Sequence, residues 1–468
     1  MSKAYQPRRA WTVAGLLALM MTTNFLDKVV LGLVAVPMMA ELRLMPTEFG
    51  LIGGSFYWLF AIGAVAGGFA ANRIPARRVL MAIALSWAVI QLPLAISGSL
   101  VAFVVCRVLL GLTEGPASPV ATHALCKWFP DQRRSLPVAL LHQGSSAGLL
   151  IAGLAIPQIT AHWGWRANFV VLTAIGLLWC VAWYFLGAEG QVEESAPAGR
   201  PDQTAPAASE SVRTSSQQQA LPARIPYARL LTDPTVLGNF AAHFVAHWVL
   251  AASLTWLSGY LQQGLGFAPI HSGRMFALFI LITAPVSLGL AWASQRLVLG
   301  GMATRRSRGA FVGWSLVVAG LGNCALLWLD LSTMQRFFML AVSGGMTLTI
   351  NSIGPAILGE VVPRAQRGGV LAIGNAVASL GGLGAPVVMG WLIQRASNAA
   401  DAPRAAALGY EQGFFVGGLL LIAGGLIALM TMNPQRSARR LARGAEPESA
   451  SKPDAVADAA PQVRPDPL

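Results

Sequence analysis

The sequence predicts an all-α integral membrane protein in which twelve transmembrane helices form two bundles of six. Of its 468 residues, 55% are hydrophobic and only 11% are charged, whereas about a quarter of a soluble domain is charged. Apolar runs long enough to cross a bilayer recur along the whole chain, and the mean hydropathy is +0.57. One long polar stretch, residues 190–227, divides these runs six and six.

Each apolar run is predicted to be a helix, because backbone groups in hydrocarbon must pair within their own segment. Many further runs follow the first, so we interpret it as a first span and not as a cleaved signal peptide. In chain order, the predicted spans cover residues 12–39, 49–71, 79–97, 100–122, 135–160, 167–187, 234–261, 272–295, 310–329, 336–359, 368–394 and 413–433.

Basic residues cluster in every second connecting segment. One set of segments holds Lys3, Arg8 and Arg9; Arg73, Arg77 and Arg78; Lys127, Arg133 and Arg134; the polar middle stretch; Arg296, Arg305, Arg306 and Arg308; Arg364 and Arg367; and the C-terminal tail. The alternate set holds only Arg43, Arg166, Arg274, Arg336, Arg395 and Arg404. The positive-inside rule then predicts a multi-pass protein of the inner (plasma) membrane with both termini in the cytoplasm. The net charge of +13 therefore indicates orientation and contact with anionic lipids, not a nucleic-acid site.

Composition divides the chain into four parts. Residues 1–189 and 228–435 are the predicted six-helix bundles, which suggest a duplicated unit around a central path. Residues 190–227 are rich in Ala, Pro, Ser, Gln and Glu and cannot build a core, so we expect a disordered cytoplasmic linker. Residues 436–468 have a similar composition, and we expect a disordered cytoplasmic tail.

The fourth span carries two charges inside an apolar run, in the stretch CRVLLGLTEGPASP (106–119). Arg107 and Glu114 are seven residues apart, which places them on one helix face. Pro116 follows, so we expect the helix to bend just beyond Glu114. Because a charge at mid-bilayer costs about 2.5–3.5 kcal/mol, the pair is expected to face the bundle interior on a transport path. An ion pair that only fixes the fourth span to its neighbour is the alternative.

The first span carries a second charged pair, Asp27 and Lys28. Adjacent residues diverge by about 100° around a helix, so these two side chains point in different directions. The ammonium group of Lys28 is a point charge suited to a carboxylate. A salt bridge from Lys28 to Asp27 or Glu114 is the alternative interpretation.

The second half offers uncharged polar candidates. His243 and His247 are four residues apart on one helix face, but no HExxH pattern or nearby acid accompanies them, so we expect no metal site. For His243 a substrate contact and a packed, hydrogen-bonded core histidine both remain open. In the first half, Tyr57 is a candidate for the cavity lining, with packing or an interfacial position as alternatives.

Several motifs together carry a family resemblance. They are NFLDK (24–28), GGFAANRIPARRVL (67–80), CRVLLGLTEGPASP, KWFPDQRR (127–134), HWGWRANF (162–169) and GNAVASLGGLGAPVVMG (374–390). With them the chain resembles the major facilitator superfamily over nearly all of residues 12–433, and within it the anion:cation symporter family, which transports organic anions such as sugar acids.

The resemblance implies roles for individual residues. Asp27 and Glu114 match the acids that carry protons, and Arg107 matches the residue that tunes Glu114. Lys28 stands where the family has an arginine for the substrate carboxylate, and Asn375 matches a residue that binds substrate hydroxyls.

The loop motif implies a cytoplasmic gate formed by Asn72, Arg73 and Arg77. Asn72 stands where the superfamily usually has an acid that helps to latch this side.

Together these features predict a secondary active transporter that takes up a small organic anion by proton symport. A proton-driven antiporter that exports a metabolite or drug is the alternative, but the Gly-Pro core typical of antiporters is missing from the fifth span. No GxxxxGK[ST] motif and no nucleophile–base constellation is present, so we expect neither ATP drive nor an enzyme. We further expect no cofactor besides the coupling proton, no nucleic-acid partner and a monomer surrounded by membrane lipids.

Overall fold

The computed structural model describes residues 6–130, 133–190, 224–399 and 403–443; the side chains of residues 72, 403–406 and 443 lie outside that description. Within these ranges every regular element is a helix. Twelve stretches are long and apolar enough to cross a membrane. The prediction of an all-α protein with twelve spans is confirmed.

Among its described residues, the first half contains nine α-helices that make six spans. They are α1 (Pro7–Leu33), α2 (Ala35–Leu42), α3 (Pro46–Ser55), α4 (Phe60–Arg73), α5 (Ala76–Ile96), α6 (Leu100–Glu114), α7 (Ala117–Cys126), α8 (Ser135–Trp163) and α9 (Arg166–Leu186). The second span is interrupted at residues 56–59, between α3 and α4. The fourth is interrupted at Gly115 and Pro116, as the sequence predicts, because proline cannot continue the hydrogen-bond ladder of a helix.

The second half contains the remaining six spans. It consists of α10 (Tyr227–Leu231), α11 (Pro234–Gly259) with a π-helical end (Tyr260–Gly264), α12 (Pro269–Leu299), a π-helical segment (Arg305–Ala310) leading into α13 (Phe311–Trp328), α14 (Thr333–Val361), a 3₁₀ turn (Arg364–Gln366), α15 (Arg367–Ala399), α16 (Pro403–Thr431) and α17 (Pro434–Arg443).

The predicted linker and tail lie mostly outside the described residues, and the tail is described only to residue 443. Most of the linker, residues 191–223, lies outside the described residues, but its end is fixed. The Ile225 N–H donates to Gln366 Oε1 at 2.8 Å, and Gln366 Nε2 donates to the Ile225 carbonyl at 2.7 Å. Residues 434–443 form α17, which corrects the predicted start of the tail at residue 436. Ser437 and Leu441, one turn apart, are both buried against the protein, and this contact holds the helix.

We call the end of the molecule where α1 begins and α16 ends the terminal face, and the opposite end the far face. The two halves meet where α1 packs on α11, α3 on α15 and α8 on α12. Glycines allow these close approaches: a side chain at Gly153 or Gly273 would collide with the backbone of the facing helix. The outer surface is apolar, with Phe185 and Met430 exposing 75% and 79% of their area, as expected for a surface that faces lipid tails.

Candidate functional site

A cavity of about 810 Å³ lies between the two halves. The first half contributes Lys28, Tyr57 and Phe60 to its wall, and the second half contributes His247 and Asn375. Three of the predicted substrate-binding residues, Lys28, Tyr57 and Asn375, are therefore brought together around one space. Lys28 is the single Lys or Arg side chain in the wall among the described residues.

The cavity opens towards the terminal face. Its wall includes Gly68 and Phe69, close to the end of α4, and Gly368 and Gly369, in the first turn of α15. These two helix ends lie at the terminal face, and Phe69 exposes 65% of its surface. A solute at Lys28 could therefore leave the protein in this direction.

The far face is closed by contact between α3 and α15, which we call the far seal. Thr47 hydrogen-bonds to Gln394 across the two halves, and the same Gln394 contacts Met45. One turn deeper, a side chain at Gly50 would collide with the Pro386 carbonyl. The conformation is thus open at the terminal face and sealed at the far face.

Two residues of the first half contact Lys28 on the side away from the cavity. Its Nζ donates to Asn24 Oδ1 at 2.9 Å and lies 3.7 Å from Glu114 Oε2. Asn24 Nδ2 in turn donates to the same Glu114 oxygen at 2.8 Å. The Glu114 side chain is fully buried, whereas Lys28 keeps 15% of its side chain exposed, on the cavity side. Lys28 therefore stands between a buried carboxylate and the cavity.

Aromatic rings complete the surroundings of the Lys28 ammonium group. Its Nζ lies 4.6 Å from the centroid of the Phe25 ring and 5.5 Å from that of Phe60. A cation near ring faces is attracted by their quadrupoles. These rings stabilise the charge without using up its hydrogen-bond donors.

Asp27 and Arg107 belong to the same charged group but point elsewhere. Asp27 accepts a hydrogen bond from Gln91 of α5, so it diverges from Lys28 as helical geometry requires. Arg107 lies 4.9 Å from the centroid of the Phe56 ring, and its Nε has no hydrogen-bond partner among the described residues. The ion pair in this structure joins Glu114 to Lys28 and not to Arg107.

The four charges balance each other in a nearly solvent-free space. Asp27, Arg107 and Glu114 are 3%, 5% and 1% exposed, and each interacts electrostatically with the others and with Lys28. Two acids and two bases sum to zero when all are ionised, which is the arrangement that buried charges require. Neutralising one carboxyl group would leave the group with a net positive charge that attracts an anion.

The structure separates the roles of the two histidines. His247 lines the cavity, whereas His243 does not: it packs against Gly354 of α14, and its Nδ1 bonds to the Asn239 carbonyl at 2.9 Å. His247 Nδ1 bonds to the His243 carbonyl at 3.1 Å. Because a carbonyl only accepts, Nδ1 of each ring carries the proton, and Nε2 of the neutral ring is an acceptor.

The predicted gate residues interact within the first half. Arg73 is exposed, and the side chain of Asn72 lies outside the described residues. Arg77 Nη2 donates to the Tyr184 carbonyl at 2.6 Å, and its backbone N–H donates to Glu189 Oε2 at 3.0 Å.

Glu189 connects the gate segment to the end of the fourth span. Its Oε1 accepts from Lys127 Nζ at 2.6 Å, and its carboxylate also caps the N-terminus of α5. Burial alone would raise the pKa of Glu189, but the hydrogen bond and charge of Lys127, with the backbone N–H groups of Ala76 and Arg77, outweigh burial and lower it. This carboxylate is therefore stabilised in its charged form.

Three residues of this arrangement, Asn24, Gln91 and Glu189, were not predicted as site residues. Gln91 is uncharged and gave no signal beyond its position in an apolar run, and Asn24 appeared only as the first residue of the NFLDK motif. Glu189 contacts residues more than 60 positions away, so spacing could not reveal it. His247 was a polar candidate of the second half, but the i, i+4 spacing left open whether its ring or that of His243 faces the cavity.

Twelve spans in two halves, a central cavity open at one face only and a balanced group of buried charges define a membrane carrier, a protein that moves a solute without chemical conversion. The comparisons with known proteins agree. The model of the Major Facilitator Superfamily matches residues 17–300. The chain belongs to this superfamily, and it is a transporter and not an enzyme.

The similar proteins are anion transporters, consistent with the anion:cation symporter family. A protein of Cupriavidus necator named "Probable sulfoacetate transporter" is 28% identical and covers 90% of this chain and 93% of its own. The hexuronate transporter of Bacillus subtilis is 26% identical, covering 80% and 85%. The D-galactonate transporter of Escherichia coli is 22% identical, covering 83% and 90%.

Solved structures show the same fold. A bacterial homologue of the human lysosomal transporter Spinster, in an inward-facing and occupied conformation, superposes with a TM-score of 0.73 at 17% identity, covering 94% of this chain and 99% of the other. A D-xylose–proton symporter gives a TM-score of 0.68 at 14% identity, covering 91% and 99%.

Proposed function

We propose that this protein takes up a small organic anion, a sugar acid or a related carboxylate, by symport with protons. The observation that carries the proposal is the position of Lys28. It is the cation in the cavity wall, and Asn24 ties it to the buried carboxyl group of Glu114. A change in the charge of Glu114 would therefore reach the group that holds the anion.

The substrate class rests on the wall of the cavity and on the relatives. Lys28 supplies a positive charge for a carboxylate, while Asn375 and Tyr57 supply groups that bind hydroxyls. The neutral His247 ring adds an acceptor, and His243 acts through the carbonyl that holds this ring. Two relatives are named for the transport of hexuronate and galactonate. Each of these anions combines a carboxylate with several hydroxyl groups.

In this proposal, proton and anion movement are coupled because Glu114 and the substrate anion compete for Lys28. With the terminal face in the cytoplasm, as the positive-inside rule indicates, the described conformation is inward-open. In it Lys28 is held by Asn24 and Glu114, the state expected after the anion has left. A proton taken up by Glu114 from outside would release Lys28 for the next anion. Asp27 carries a second proton in this scheme, and Arg107 keeps the ionised carboxylates stable in between.

The proposed transporter also has a cytoplasmic gate, an oligomeric state and a membrane location. Arg73 and Arg77, with Asn72, form the cytoplasmic gate when α4 and α15 close over the cavity. The protein acts as a monomer in the inner membrane with both termini in the cytoplasm. The proton is its coupling ion, and it uses no cofactor and no nucleic-acid partner.

The test is transport by the purified chain in proteoliposomes. An inwardly directed proton gradient should drive accumulation of a radiolabelled aldonate or hexuronate, and adding the anion without a gradient should move protons in the same direction. Lys28→Ala should abolish binding and uptake. Arg274→Ala, which removes an exposed arginine at the far face, is the matched control and should leave both unchanged.

Proton movement opposite to the anion would favour the export alternative. Anion binding by Lys28→Ala at near-normal affinity would refute the role of Lys28.

A further inference from the structure

We propose that α17 and the adjoining start of the ninth span form a binding site for the headgroups of anionic phospholipids. None of the arginines of this surface lines the cavity. The proposal rests on the placement of arginines around α17 and on the way the helix is fastened.

One face of α17 is fastened to the second half. Ser437 Oγ lies 2.8 Å from Thr235 Oγ1, and Arg440 Nη2 lies 3.0 Å from Asp233 Oδ2. Leu441 is 5% exposed, inside an apolar cluster with Leu230 and other residues. The helix is therefore a fixed element of the protein, and its other face has a defined direction.

That other face is basic. Arg436 and Arg439 are exposed, and α17 contacts the segment that begins with the exposed Arg305 and Arg306. None of these four side chains has an ion-pair partner in the described part of the chain. Four exposed guanidinium groups that pair with no carboxylate of the described ranges create a positive surface that attracts anions.

The position of this surface is the edge of the bilayer. Only Met432 and Asn433 separate α16 from α17. Met430, just before this turn, is 79% exposed, and Trp314, about two turns into the ninth span from Arg306, is 59% exposed. Large apolar side chains with such exposure face lipid tails, so the arginines next to them lie at the level of the headgroups.

The chemistry of the arginines matches a lipid phosphate. A guanidinium group presents paired donors that bind phosphate oxygens in two parallel hydrogen bonds. Clusters of four to eight basic residues at the end of a span or on an amphipathic helix are typical of contacts with anionic lipids. We therefore assign the site to a phospholipid held by its acyl chains as well as its phosphate, and not to a free anion.

The experiment measures lipid retained by the full chain in native mass spectrometry. The protein, in mild detergent, is titrated with phosphatidylglycerol or with phosphatidylcholine of the same acyl chains. Four forms are compared: wild type, Arg436→Gln/Arg439→Gln, Arg305→Gln/Arg306→Gln, and the control Arg8→Gln/Arg9→Gln, which removes the same charge from the terminal face of the first half. Thermal unfolding in phosphatidylcholine verifies that each variant is folded.

Wild type should bind phosphatidylglycerol in preference to phosphatidylcholine, and excess inorganic phosphate should not displace it. Each arginine near an anionic surface strengthens binding about fivefold, so each site variant should lose about 25-fold in affinity, while the control stays close to wild type. Three results would each overturn the proposal: no preference between the two lipids, displacement by inorganic phosphate, or an equal loss in the control.

Discussion

Replacing Glu114 by Gln removes the charge behind Lys28 while keeping the shape of the side chain. In the structure Lys28 Nζ lies 3.7 Å from Glu114 Oε2. With an effective dielectric constant of about 20, two unit charges at this distance attract each other by roughly 4–5 kcal/mol. In the variant, Lys28 remains partly exposed to the cavity and keeps its hydrogen bond to Asn24. The substitution therefore weakens the attachment of Lys28 by only part of this energy.

We take one third of this attraction, about 1.5 kcal/mol, as the part that competes with binding of the substrate carboxylate to Lys28. Its loss corresponds to about a tenfold gain in affinity for the anion. Glu114→Gln should therefore bind the organic anion at least about tenfold more tightly in the inward-open state. The variant resembles the protonated form permanently, so it should still exchange anion across the membrane. It should fail to concentrate the anion, since it cannot release the proton that drives the cycle.

The assay combines equilibrium binding to the purified protein with counterflow and gradient-driven uptake in one proteoliposome preparation. Asp330→Asn, which changes an exposed acid at the far face to its amide, is the matched control. Wild-type affinity together with accumulation at wild-type rates in Glu114→Gln would show that this carboxylate is only a structural partner of Lys28.

Three further predictions concern the framework around the site. Glu411→Gln should leave the partly exposed Arg336 without its ion-pair partner and destabilise the protein by about 1 kcal/mol, seen as a lower Tm; an unchanged Tm would mean that solvent already screens the pair. Gly50→Val should hold α3 away from Pro386, open the far seal and increase labelling of a cysteine placed there; unchanged labelling would show that the seal does not depend on this contact. The pKa of Glu189 is lowered, so its stabilisation is complete above its ordinary value of 4.5 and is lost as the pH falls through the lowered pKa. Wild type should therefore unfold at a higher temperature than Glu189→Gln at pH 7, and the difference should disappear in acid; a difference that is the same at every pH would refute this.

The fold could be predicted from the sequence because the bilayer imposes a simple constraint. Runs of about 20 apolar residues must become helices, and the prediction of twelve spans is confirmed. The end of the folded second half was harder to predict. The predicted tail begins at residue 436, but α17 continues to Arg443 because Leu441 and Arg440 find partners on the second half. Those partners are distant in sequence, so local composition gave no sign of them.

The charged members of the candidate site could be predicted from the sequence, and the predicted Tyr57 and Asn375 line the same cavity. A charge inside an apolar run is conspicuous, and Asp27, Lys28, Arg107 and Glu114 do meet in one group. Which of them pair was not predictable, because pairing depends on how α1 and α6 are rotated against each other. Asn24 shows this most clearly. It joins Lys28 to Glu114, yet a single Asn in a span has no pattern that reveals its contacts.

The break in the fourth span gives the buried acid an unusual location. Glu114 is the last residue of α6, and Gly115 and Pro116 separate it from α7. The carboxylate therefore lies at the boundary between two helices and not in the middle of one continuous helix. A change in the angle between α6 and α7 would act through the backbone torsions beside this acid and so on its distance from Lys28, which is 3.7 Å here. Motion of the protein and the strength of one ion pair are in this way tied to the same few backbone torsions.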